Sequence, residues 1–296
     1  MMSIDDEDRG GAWPAGAALL LGVLRWDAPA YDAVSLARVD VVEWEAARHL
    51  AMRQGVGPLW YQRLQRHGLL AVVPVAVREA LLAEYRLNAL RNARIERELA
   101  GLVRLAAGHG IDVLALKGAA LAAGVYAPGA GRWMVDLDVL VRVEQWLEFT
   151  ALLEEQGYRI QGLTLAETGF ALRDGHHAPA YWRSGGVCAV EAHWTVVNSE
   201  ARGGLPMVEA WQRAVPLVLR DGTRLWQLAV EDLLLYVAAH ATYQHGLRVG
   251  LRALADVAQL VAVCALDWDV VCERARCYGW RRGLYVVLWW ARDGLG

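Results

Sequence analysis

Three carboxylates set in apolar runs are the residues of this chain best placed to do chemistry. Asp136 and Asp138 lie one residue apart in Met134–Val143, among Val135, Leu137, Val139 and Leu140. In a strand, residues i and i+2 share a face, so both carboxylates point the same way, a few ångströms apart. Two anions in an apolar sheet require a cation. Glu191 sits in a second apolar run, Val187–Val196, where alternation puts it on one face with His193. Strand carboxylates suit a hard divalent ion, and Mg²⁺ takes one or two of them together with the phosphates of a substrate. Three carboxylates could hold two ions for an in-line displacement at phosphorus.

An anion-binding element precedes them. Ile111–Leu116 is a short apolar run that ends in Lys117-Gly118, where an alanine-rich helical pattern, Ala119–Tyr126, begins. A helix start offers backbone amides and a positive dipole end to a phosphate, and Lys117 adds a point charge. The chain has 30 basic residues, of which Lys117 is the one lysine and the other 29 are arginines. A compact ammonium has been kept at this position alone. Arg132, four residues before Asp136, is in reach of the same anion if the intervening loop folds over it. His193 reads either as support for the carboxylates or as a core histidine. His176 and His177 either face the same cleft or pack in their strand. Trp133 could stack on a base, whereas the other tryptophans read as packing.

The elements that must position these residues follow from periodicity. Residues 1–12 are acidic and glycine-rich and are expected to be disordered. Residues 13–109 read as an N-terminal helical lobe, with Ala33–Met52 and Val77–Ala107 at helical spacing. In the second of these, Asn88 and Asn92 interrupt the apolar stripe, which predicts a shallower middle. Its arginines (Arg86, Arg91, Arg94, Arg97) read as a solvated face paired with Glu96 and Glu98. Residues 110–222 read as an α/β core with strands at Ile111–Leu116, Met134–Val143 and Pro216–Leu219, and a hairpin turning at Gly185-Gly186. Residues 223–296 read as a C-terminal helical lobe, with Thr223–Asp232 as the approach to its first helix. The fold class expected is α+β.

At 296 residues and 56% hydrophobic, the chain can bury a sizeable core. Its net charge of −3 gives no overall basic field for nucleic acid, although arginines could cluster locally. No apolar run reaches the roughly 20 residues of a membrane span. Cys188, Cys264, Cys272 and Cys277 form no CxxC pair and read as packing residues, which with the absence of a secretory pattern predicts a cytoplasmic protein.

The ordered set Leu116-Lys117-Gly118, Tyr126, Arg132, Asp136-Leu137-Asp138-Val139-Leu140-Val141 and Glu191-Ala192-His193-Trp194 resembles the uncharacterised nucleotidyltransferases of the DNA polymerase β-like superfamily. The likeness spans about Val113 to Gly279 and takes in His240, Arg252 and Asp256 on the later helices. It implies a small mixed-sheet nucleotidyltransferase core flanked by helical lobes. It implies transfer of a nucleoside monophosphate from an NTP, ATP in the first instance, to a hydroxyl-bearing acceptor, with Mg²⁺ or Mn²⁺. Asp136, Asp138 and Glu191 would hold metal, Lys117, Gly118, Arg132, His240, Arg252 and Asp256 would bind nucleotide, and His193 would support them. The acceptor stays open among a peptide such as a natural-product precursor, a protein hydroxyl, a small molecule and an RNA end. The chain departs from the superfamily pattern at Ala119, where a serine or glycine is usual, in the longer gap to Asp136, and in a glutamate as third carboxylate. A catalytically weak binding module for a peptide or protein and a phosphoester hydrolase are the alternatives. The latter would want more histidines in ligand spacing.

Overall fold

The computed structural model describes residues 14–296 apart from 28, 127–130, 171–174, 198–202 and 249. The expected tail, 1–12, lies outside the described residues, as do residues 127–130 of the loop that leads to Arg132. Helices α1 (Ala17–Leu24), α2 (Ala33–Leu36), α3 (Val41–Arg53), α4 (Gly57–Arg66) and α5 (Val75–Gly108) come first. The middle of the chain carries β1 (Leu114–Ala115), α6 (Lys117–Gly124), β2 (Asp136–Leu140), α7 (Trp146–Glu155), α8 (Leu165–Thr168), β3 (Ala189–His193), α9 (Met207–Arg213), β4 (Val215–Val218) and β5 (Arg224–Gln227). Helices α10 (Val230–Ala239), α11 (Leu251–Val263), α12 (Trp268–Cys277) and α13 (Arg281–Leu295) follow. This is the α+β class read from the sequence. Among the described residues, no helix is long and apolar enough to cross a membrane.

Local chemistry sets several boundaries. The Ala33–Met52 pattern is two helices, because Asp40 caps the second by accepting from the Glu43 amide at 2.8 Å. Pro58 opens α4, where its missing N–H costs nothing.

Five strands among the described residues form one mixed sheet in the order β3-β2-β1-β5-β4. β2 runs antiparallel to β1 and parallel to β3, and β5 runs parallel to β1 and antiparallel to β4. The β2–β3 register sets Asp138 directly opposite Glu191. Strand alternation splits the sheet between two apolar clusters. Leu137, Val139, Val190 and Ala192 face one cluster with the C-terminal half of α5 and α7. Leu114, Leu116 and Leu140 face the other, which is shared by the first and last helices. Asp136 and Asp138 have the parity of Leu140, so they open toward the C-terminal helices.

Three expectations change. Arg224–Gln227 is a strand and not a helix approach, since it completes the sheet between β1 and β4. Met207–Arg213, to which the sequence assigned no element, is a helix. The hairpin survives only as isolated antiparallel bridges, His177 to His193 and Tyr181 to Val190, on the edge of β3 away from β2. Of the cysteines, Cys188 is buried and Cys264 partly so, but Cys272 and Cys277 are exposed.

Helix α7 is fixed to the site strand by one buried bond, from the Trp146 indole N–H to the Ala192 carbonyl at 2.8 Å. Trp146→Phe keeps most of the ring packing and leaves that carbonyl without this donor. The carbonyl still accepts from the Ala178 amide at 3.1 Å, so the unfolding free energy should fall by about 0.5–1.5 kcal/mol in urea denaturation; an unchanged midpoint would show that the bond does not hold α7.

Candidate active site

Lys117 and Asp138 form the centre of the site, and the backbone brings them together. The Leu116 amide donates to the carbonyl of Asp138 at 3.1 Å, so the end of β1 is tied to the residue it serves. Lys117 then turns through φ = +37°, a left-handed conformation that costs a non-glycine residue about 1–3 kcal/mol. Its Nζ lies 2.8 Å from Asp138 Oδ1. His193 donates from Nε2 to the same oxygen at 2.9 Å. Asp138 is 2% exposed and His193 wholly buried.

Two further carboxylates crowd this pair. Glu191 Oε2 lies 3.7 Å from Nε2 of both His193 and His177. Ligand atoms of Asp138, Glu191 and His193 fall within 4.8 Å of one another, close enough to share one ion. Asp136 stands outside that group on the wall of the same cavity. Burial alone would raise the Asp138 carboxyl, yet Lys117 and His193 hold it well below the usual range. Asp136 is pushed up, by burial first and then by the charges of Asp138 and Glu191. Burial likewise opposes the Lys117 charge, and Tyr236 and Asp138 overcome it and hold the ammonium above the usual lysine range. One ammonium thus faces three acids, and their arrangement retains negative charge for a further cation.

The cavity they border has a volume of about 730 Å³. Every site residue expected from the sequence except His193 lines it: Lys117, Gly118, Arg132, Asp136, Asp138, Glu191, His240, Arg252 and Asp256. His176 and His177 line it too, which selects the cleft reading for them, whereas Trp133 is not among its lining residues. Arg132 reaches the cavity already paired with a carboxylate. Its Nε donates to Asp256 Oδ1 at 2.7 Å, its Nη1 to the Trp133 carbonyl, and Asp256 also accepts from the Tyr126 hydroxyl at 2.8 Å. Burial opposes the Arg132 charge, but Asp256 raises its pKa overall. Arg252 lines the cavity with no ion-pair partner among the described residues.

The loop that carries Arg132 is held by residues whose role the sequence concealed. Asn88 and Asn92, expected to mark a shallow stretch of α5, are 2% and 3% exposed. Their side-chain amides donate to the Arg132 carbonyl at 3.1 and 2.8 Å. Two amides spaced i, i+4 on an apolar stripe were the available signal. Glu96 and Glu98 also serve distant partners, Arg220 and Arg183, and not the arginines of their own helix.

The far wall is a π-helical turn, His240–Gln244, that continues α10. Gln244 Nε2 donates to His176 Nε2 at 3.1 Å, which ties this wall to the hairpin. His240 and His245 meet Nε2 to Nε2 at 3.1 Å. Burial, then the Lys117 charge, lowers the His240 pKa to about 2, so His240 is a neutral donor or acceptor at any working pH. Nothing in the residue pattern pointed to His245 or Gln244, because the π turn that presents them depends on helix packing.

A sequence profile described as uncharacterised nucleotidyltransferase matches residues 40–296. The chain belongs to this family. No curated protein matches the chain. Among solved structures, the crystal structure of ANT(2″)-Ia in complex with adenylyl-2″-tobramycin is similar at 15% identity and a TM-score of 0.46, over 63% of this chain and 98% of that one. A solution structure of the antibiotic-resistance factor ANT(2″)-Ia gives 14% and 0.43, over 61% and 94%. A nucleotidyltransferase-like protein from Paracoccidioides brasiliensis gives 16% and 0.34, over 66% and 92%. Nucleotidyltransferases transfer a nucleotidyl group, and membership places the chain in that class of enzyme.

In this nucleotidyltransferase the asparagine pair should hold the Arg132 loop against the cavity. Asn88→Ala with Asn92→Ala leaves the buried Arg132 carbonyl without its two side-chain donors. Unfolding free energy should fall by about 1–3 kcal/mol and NTP should bind more weakly in calorimetric titration. Loss of stability with unaltered NTP affinity would detach this loop from the site.

Proposed function

We propose that the protein moves a nucleoside monophosphate from an NTP, ATP in the first instance, to a hydroxyl-bearing acceptor and releases pyrophosphate. The observation that carries this is the set of three carboxylates on two adjoining parallel strands, facing Lys117 and Arg252 across one cavity. The donor set fits Mg²⁺: hard carboxylate oxygens, unevenly compensated, with Asp138 opposite Glu191 and Asp136 pushed up by the charge of the other two. Asp136, Asp138 and Glu191 would hold the ion. Bound there, Mg²⁺ would neutralise the triphosphate and the charge that develops on its leaving oxygen.

The side chains supply the rest. Lys117 and the Gly118 amide take the β and γ phosphates, at a helix start with room for close approach. A Cβ on Gly118 would come within 3.2 Å of Met134 Cγ, which argues for glycine at this step. Arg252 meets phosphate charge from the opposite wall. Arg132, tied to Asp256, acts by shaping that wall and by its field, a narrower role than direct contact with pyrophosphate. Glu191 takes the proton of the acceptor hydroxyl. His193 orients the Asp138 carboxylate through its Nε2 hydrogen bond, in the manner of an outer-shell partner.

Incubation with each labelled NTP and Mg²⁺ tests the reading. Pyrophosphate release with label on an acceptor is expected, and Asp138→Asn should reduce it by about 10²-fold or more. Monophosphate with no labelled acceptor would indicate hydrolysis, and binding without turnover would indicate a binding module. Lys117→Arg keeps the charge but loses the compact ammonium that fits beside Asp138, so NTP affinity should drop about tenfold. Equal affinity would remove Lys117 from the phosphate site.

A further inference from the structure

A second groove shares a lining residue with the catalytic cavity. Tyr243 borders both, and its hydroxyl accepts from the Gly283 amide at 2.9 Å, which fixes the ring. The close approach depends on glycine, because a Cβ at Gly283 would lie 2.5 Å from Thr242 Oγ1 and 2.7 Å from the Tyr243 ring. The groove, with a volume of about 1290 Å³, runs between α12 and the first turns of α13. Arg276, Arg281 and Arg282 line it against a single carboxylate, Glu273. None of the three arginines has an ion-pair partner among the described residues, unlike Arg274 of the same helix, which is bound to Asp232 and Glu231.

Aromatic faces alternate with these charges. Tyr285 is 69% exposed and Tyr243 41%. Arg281, Tyr285 and Trp289 follow one another at i, i+4 and i+8 on α13, and Trp289 is 44% exposed. Exposed rings beside unpaired guanidinium groups are the means by which proteins hold single-stranded nucleic acid, with bases on the rings and phosphates on the arginines. An acidic peptide would satisfy the arginines but leave the rings uncovered. The chain is net negative, so this basic strip is local.

We infer that the groove between α12 and α13 binds single-stranded nucleic acid and delivers its terminal hydroxyl past Tyr243 to the catalytic cavity. The inference rests on the nucleotidyl-transfer reading for the chemical step and on the groove alone for binding. In that step the terminal hydroxyl oxygen bonds to the α-phosphorus of the NTP. The bond from that phosphorus to the pyrophosphate oxygen breaks, pyrophosphate leaves with the electron pair, and the hydroxyl proton passes to Glu191.

The test uses the full chain and a fluorescent single-stranded RNA of about ten nucleotides, within the span that such grooves cover. Anisotropy titrations would compare wild type, Tyr285→Ala and the triple variant Arg276→Ala/Arg281→Ala/Arg282→Ala, each checked for fold by circular dichroism and for ATP binding by calorimetry. The triple variant should bind RNA at least about tenfold more weakly, with a log–log salt slope shallower by about 2, as expected for three lost phosphate contacts. Tyr285→Ala should weaken binding about fivefold or more. Equal RNA affinity in all three proteins overturns the inference, as does a wild type that binds polyglutamate peptide but not RNA. Arginine-dependent RNA binding in a protein that turns over no NTP would uphold the groove and sink the transfer reading. Nucleotidyl transfer to another acceptor without RNA binding would do the reverse.

Discussion

The site depends on a single buried oxygen, Asp138 Oδ1, which accepts from both Lys117 and His193. A carboxylate this deep in a sheet is tolerable only because two donors reach it, and each donor comes from an element the sheet must place. Lys117 arrives from the end of β1, where the backbone is turned into a strained left-handed conformation. His193 arrives from β3, two residues beyond the Glu191 that faces Asp138 across the ladder. The parallel pairing of β2 and β3 thus sets the chemistry: it assembles two carboxylates and a histidine around one point, with Asp136 on the same face.

The opposite wall is built on a second buried ion pair, Arg132 with Asp256, which connects the loop after α6 to α11. Tyr126 and the two asparagines of α5 complete it. Charges on the two walls differ in availability. Lys117 and Arg132 each have a carboxylate partner, while Arg252 is without an ion-pair partner among the described residues. The cavity therefore places acids on the sheet side and an uncommitted cation across from them, an arrangement suited to a metal-bound polyphosphate.

Much of this was legible in the sequence, for physical reasons that can be named. The period of two placed Asp136 with Asp138 and Glu191 with His193, because strand geometry leaves no other choice. The solitary lysine marked a position where charge alone was not enough. What was hidden depended on tertiary structure. β5 is four residues long and gains its identity only from β1 and β4. Asn88 and Asn92 look like flaws in an amphipathic helix until the Arg132 carbonyl is set above them. The ion pair of Arg132 was hidden because its partner, Asp256, lies 124 residues away. The π turn that brings His245 and Gln244 into the cavity has no periodicity to betray it.

The most direct test of the central claim is a crystal structure with a non-hydrolysable ATP analogue and Mg²⁺. The account predicts metal density among Asp136, Asp138 and Glu191, with the β and γ phosphates against Lys117 and Gly118. A nucleotide bound elsewhere, or one seated in the cavity with no ion at the carboxylates, would contradict it.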